Sequence, residues 1–173
     1  MEGLRALTIC QPWAWAIMAG HKRFENRDWQ TDYVGPLVIH AGKSEKWMPD
    51  GMAFLRRLGI CPLRSELEFG AVLGVVEMVD CVRKAECDGD PFAFGPYCFK
   101  LEKPRRLAVP VPMKGQLTLW RIDPAIVAEL EIGADAKSQA VASAESREQR
   151  IERAIGAAGP GKLRRATQGN LWK

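Results

Sequence analysis

The rhythm of hydrophobic and polar positions changes several times along this chain, and each change predicts an element. Residues 6–10 are a short, mostly apolar run that reads as a strand. Pro12 presets the backbone angle of a first helical turn, and Gly20 stands where a left-handed cap would end the helix. Residues 13–19 between them are apolar on every face, the pattern of a buried helix. Residues 24–29 alternate polar and bulky side chains like a strand, 33–36 form a turn, and 37–41 are a second β run ending at Gly42 and Lys43. Residues 48–58 suit an amphipathic helix carrying Arg56 and Arg57. Residues 70–79, apolar and β-branched, form the strongest strand pattern, with Gly74 placed for a bulge. Two further strands, 92–101 and 117–122, flank a proline-bearing stretch, 105–112, that suits a sheet edge.

After Asp123 and Pro124 the character changes. A short helix is expected over 125–131, and a solvated helix rich in Ala, Glu, Gln and Arg over 134–157. The glycines and proline of 156–161 break it, and a basic end, 162–173, carries one aromatic, Trp172. Runs of strands without βαβ alternation predict an α+β protein built on a small mixed β-barrel, in place of a doubly wound sheet. The expected division is a barrel domain, 1–132, and a helical, basic C-terminal extension, 133–173.

Composition narrows the class. The chain has 173 residues, 47% hydrophobic and 27% charged, enough for one real core. With no apolar run near the roughly 18 residues of a bilayer span and no basic-then-apolar leader, no membrane role is expected and a cytoplasmic location is. Five cysteines without a C-x-x-C pair form neither a disulfide framework nor a zinc knuckle, and phosphate-loop glycine motifs are absent, so no metal or cofactor is expected. Of the 25 Lys and Arg, seven fall in residues 147–173 beside two Glu, so the formal charge of +4 comes from the tail. A body close to neutral would have to hold phosphates through a local cluster and not through its overall field.

Residues 7–14, Leu-Thr-Ile-Cys-Gln-Pro-Trp-Ala, are followed by residues 20–29, Gly-His-Lys-Arg-Phe-Glu-Asn-Arg-Asp-Trp. Residues 33–41, 70–77 and 114–120 continue the series. In this order the motifs resemble the ASCH (activating-signal-cointegrator homology) family over about residues 6–123. That resemblance implies a β-barrel related to the PUA domain of RNA-modifying enzymes, with a cleft beside the first helix. It also implies binding of RNA or DNA, transcriptional coactivation, or enzymatic work on N4-acetylcytidine or single-stranded RNA. In the deacetylating members a threonine stands where this chain has Glu25, while the lysine is kept as Lys22. The departure counts against the threonine-dependent mechanism here.

The leading candidates are Lys22, Glu25 and Arg27. On a strand, Glu25 and Arg27 share a face that Lys22 could meet from the preceding turn. Lys and Arg suit a phosphate, and Glu an exocyclic amine such as cytosine N4. The plain alternative is a surface ion pair. Gln11, Pro12 and Trp13 open the buried helix, whose free N–H groups would suit a phosphate while Gln11 read a base edge and Trp13 stacked on it. Trp15 is the tryptophan expected in the core. Lys43 and Lys114 are glycine-adjacent lysines at strand ends, and Tyr33 is a turn residue or a cleft wall. If the protein is an enzyme, the catalytic set would be Lys22, Glu25 and Glu77, with Glu77 as a carboxylate partner for Lys22. The expected partner is RNA or DNA, single strands favoured, with the C-terminal helix as a surface for a protein partner.

Overall fold

The computed structural model describes residues 4–123 and residue 126. Six strands and two helices follow in the order β1 (Arg5–Ile9), α1 (Trp13–Met18), β2 (Phe24–Arg27), β3 (Gly35–Ala41), α2 (Met48–Arg57), β4 (Ala71–Arg83), β5 (Tyr97–Pro112) and β6 (Leu119–Arg121). The strands form one mixed sheet ordered β2-β5-β4-β3-β1-β6, curled into a half-barrel. β1 and β3 run parallel, joined by a crossover that contains α1, and every other pairing is antiparallel. The expected α+β class and PUA-like architecture are therefore present.

Both faces of the central strands are covered, which is why β1 and β3 read as continuous apolar runs rather than as clean alternation. Leu7, Ile9, Leu37, Ile39, Leu73 and Phe99 point to the face that receives Ile17 and Met18 of α1. Their sequence neighbours Ala6, Val38 and Val72 join Leu107, Trp120 and Ile122 in a second cluster. Trp15 and Ala16 turn toward Leu55 of α2. Of Trp13 and Trp15, Trp15 is thus the buried one, as expected, and Trp13 is only partly covered.

Two sequence expectations change, the first being that the strand expected over 92–101 begins only at Tyr97. The stretch 105–112 is not a separate connection: it continues from Tyr97 in one long strand, β5. β2 pairs only with residues 97–100, so the distal half of β5 has β4 as its neighbour on one side alone. The prolines therefore sit where no second partner needs their missing N–H, and the edge character holds while the break does not. The register slips beside Gly74, where the bulge was expected.

The helices expected over 125–131 and 134–157 and the boundary at 132/133 lie, residue 126 apart, outside the described residues, as does the basic end. Among the described residues, no helix is long and apolar enough to cross a membrane.

Candidate functional site

The site begins with the way α1 stops. Gly20 adopts φ +81°, the left-handed conformation that a side chain disfavours. The N–H groups of His21 and Lys22 both return to the Ala16 carbonyl, at 2.9 and 3.0 Å. This folds Lys22 back under the helix it follows. β2 starts two residues later and pairs with β5, which fixes the face on which Glu25 and Arg27 lie.

The three side chains meet there. Lys22 Nζ lies 2.8 Å from Glu25 Oε2 and also donates to the Phe24 carbonyl. Arg27 Nη2 lies 2.9 Å from Glu25 Oε1 and donates to the Thr8 carbonyl at 3.1 Å. Lys22 and Glu25 are 3% and 7% exposed. This is a buried ion network of two cations on one carboxylate, and not the surface pair that was its alternative. Arg27 Nε is buried without a hydrogen-bond partner. A buried donor left unmade costs about 1–3 kcal/mol, which an acceptor brought by a ligand would recover.

The network forms one wall of a cavity of about 400 Å³, lined also by Thr8, Ile9, Cys10, Trp13, Asn26, Trp47 and Phe94. That volume falls in the range of about 300–1,000 Å³ typical of ligand pockets. Burial raises the Cys10 thiol above its ordinary value, with Arg27 pulling it the other way. A larger cavity of about 800 Å³ is also lined by Lys22. Its walls mix Asp80, Glu86, Asp88, Asp90 and Glu102 with Arg23, Lys100 and Lys103, and Phe24 is the one aromatic among them, where the first has Trp13, Trp47 and Phe94.

The structure thus brings Trp13, Lys22, Glu25 and Arg27 to one cavity and places the other candidates elsewhere. Gln11 is fully buried: its Oε1 accepts from the Trp15 N–H at 2.9 Å, and its Nε2 donates to the Glu68 carbonyl at 2.7 Å. Pro12 is buried beside it. The expected phosphate site at the start of α1 is not formed. Trp13 and Ala14 N–H donate to the Cys10 carbonyl, Ala16 N–H to that of Pro12, and Gln11 takes Trp15, so the first turn has no free donor. Glu77 is not the partner of Lys22. It faces Arg105, 3.3 Å away, across the β4–β5 ladder, and Lys22 is engaged by Glu25 three residues along its own chain. Tyr33 packs partly against the core and donates its hydroxyl to the Pro36 carbonyl. Lys43 and Lys114 are exposed and line neither cavity.

Asn26, Trp47 and Phe94 were missed. Strand alternation puts Asn26 on the face opposite Glu25 and Arg27, yet it lines the same cavity. Its Nδ2 donates to the Phe92 carbonyl at 2.8 Å, and its Oδ1 accepts from the N–H groups of Phe94 and Gly95 at 2.8 and 3.0 Å. The 92–95 loop is thereby tied to the strand that carries Glu25 and Arg27. Trp47 lies in the loop before α2, and Phe94, expected on a strand over 92–101, lies in the loop before β5, so the strand pattern did not mark either as a cavity residue. Among the described residues no group of three or more His, Cys, Asp or Glu is placed to hold a metal ion.

A cleft of this kind beside the first helix of a curled mixed sheet is what the motif resemblance predicts, and the chain belongs to the ASCH domain family, whose model matches residues 7–93. Activating signal cointegrator 1 from Homo sapiens is 29% identical over 133 residues, covering 70% of this chain and 23% of that protein. The Mus musculus protein of the same name is 27% identical over the same shares. The chain therefore spans about a quarter of the length of these relatives. Among solved structures, an ASCH protein from Zymomonas mobilis aligns with TM-score 0.47 at 12% identity, covering 74% of this chain and 93% of that one.

Proposed function

We propose that the chain is a nucleic-acid-binding module whose 400 Å³ cleft takes one nucleotide of a single strand, or one flipped from a duplex, in RNA or DNA. The observation that carries this reading is the buried Lys22–Glu25–Arg27 network facing an open cavity. As a stabilising device such a network is poor, because well-packed apolar side chains often do as well or better. As a recognition device it supplies what a nucleotide needs. Two cations on one carboxylate leave a local excess of positive charge in a body that is otherwise near neutral. The unpartnered Arg27 Nε suits a base carbonyl or a phosphate oxygen, and the free lone pairs of Glu25 suit an exocyclic amine. Trp13 offers a ring at the same wall.

The test is fluorescence anisotropy with labelled single- and double-stranded RNA and DNA at about 50 and about 200 mM salt. The wild type binds single strands and weakens as salt rises. Arg27→Glu, a partly exposed position, weakens binding at least tenfold at low salt. Wild-type affinity in a folded Arg27→Glu protein would place the ligand outside this cleft.

A further inference from the structure

Eight large hydrophobic side chains are exposed among the described residues, and six of them are aliphatic: Val34, Leu58, Leu63, Val79, Val109 and Leu117. Scattered aliphatics of this kind are ordinary surface. The two aromatics are Trp47, 47% exposed, and Phe94, 54% exposed, and both line the 400 Å³ cleft, as none of the six aliphatics does. We infer that Trp47 and Phe94 are the base-stacking residues of this site, and that they restrict it to an unpaired base within a nucleic-acid strand. This rests on the reading of the cleft as a nucleotide site and deepens it.

Three observations support the assignment. Phe94 is held in place before any ligand arrives: its N–H is fixed by Asn26, and its ring meets the edge of Phe54 with centroids 5.3 Å apart. Phe54 in turn contacts Phe92 and Trp13, so the ring is backed by a packed aromatic cluster. Preorganisation of this kind reduces the ordering cost of binding. Trp47 immediately precedes α2, and Lys46 Nζ stands 5.2 Å from its ring centroid. Lys46 also acts on the Cys10 thiol of the cavity wall, so a cation stands beside the exposed indole and the cavity. An aromatic face for a base with a cation beside it for the neighbouring phosphate is how proteins hold single strands. A base still paired in a duplex has both faces stacked and cannot offer them to such rings.

The experiment uses the full chain, with Trp47→Ala, Phe94→Ala and the conservative Trp47→Phe and Phe94→Tyr. Because both side chains are exposed, folding is checked by circular dichroism melts and is expected to be unchanged. Binding is read with single-stranded RNA and DNA ten-mers carrying a central 2-aminopurine, beside the matching duplexes. Wild type should quench the 2-aminopurine. Each alanine variant should bind single strands about tenfold more weakly and lose the quenching, in line with the ~1–3 kcal/mol of a base–aromatic stack. The conservative variants should restore most of both signals. Alanine variants that bind and quench like wild type, while Arg27→Glu loses binding, would overturn this inference and leave the cleft reading in place. A wild type that binds none of the oligonucleotides would overturn both.

Discussion

Lys22 is 3% exposed and already satisfied by Glu25 and the Phe24 carbonyl, so it is the residue on which the cleft is built more than the one that reaches out of it. Arg27, one-fifth exposed at its side chain, is the reaching member. His40 illustrates a different role. It is buried beside Trp120, its Nε2 pairs with the Met113 carbonyl at 3.1 Å, and its Nδ1 has no partner. Burial lowers its pKa below the ordinary histidine value of 6.5, with the Met113 contact acting weakly the other way. The folded state therefore binds a proton less readily than the unfolded chain. Its contribution to stability is complete above the ordinary value and is lost as pH falls from there through the depressed one. Melting curves between about pH 7.5 and about pH 5 should show Tm falling on acidification, and falling less steeply in His40→Gln. Parallel slopes in the two proteins would contradict this account of His40.

At the scale of elements, the cleft depends on α2 lying close against the start of α1. A Cβ built at Gly51 of α2 would sit 2.5 Å from Pro12 Cδ and 2.8 Å from Cγ. Two effects oppose each other in Gly51→Ala. Helix propensity favours alanine by about 1 kcal/mol, and overpacking costs about 1–3 kcal/mol. The atoms struck belong to a buried proline ring, which cannot rotate away as a flexible side chain would, so the clash wins. Thermal unfolding should show a lower Tm, with a net loss of about 1 kcal/mol. Because Pro12 adjoins Trp13 of the cavity wall, oligonucleotide affinity should fall with it. An unchanged or raised Tm would show that the two helices tolerate separation.

Over the whole molecule, the parts legible in the sequence are those set by local pattern. Short apolar, β-branched runs pointed to β1, β3 and β4, the all-apolar segment to α1, and Gly20 to its end. Residues 22–27 were legible as a site because the motif and the strand alternation agree on Glu25 and Arg27. What could not be read depends on contacts between distant segments. The Gln11 amide is used by Trp15 and by Glu68, 57 residues away, so a residue with the chemistry of a base reader serves as an internal strut. Glu77 and Lys22 are joined by nothing local, and Glu77 pairs instead with Arg105 of the neighbouring strand. Trp47 and Phe94 come from two loops that converge only when α2 and the 92–95 loop dock beside β2.

The central claim is that a nucleotide enters the cavity walled by Lys22, Glu25 and Arg27, and the chain carries its own probe for it. Cys10 lines that cavity, whereas Cys61 is exposed and lines neither cavity. The most direct measurement is the rate of thiol alkylation at each cysteine, resolved by peptide mass spectrometry, with and without a saturating single-stranded oligonucleotide. The account predicts that the oligonucleotide slows modification of Cys10 severalfold and leaves Cys61 unchanged. Cys10 modified at the same rate while the oligonucleotide is bound would contradict it.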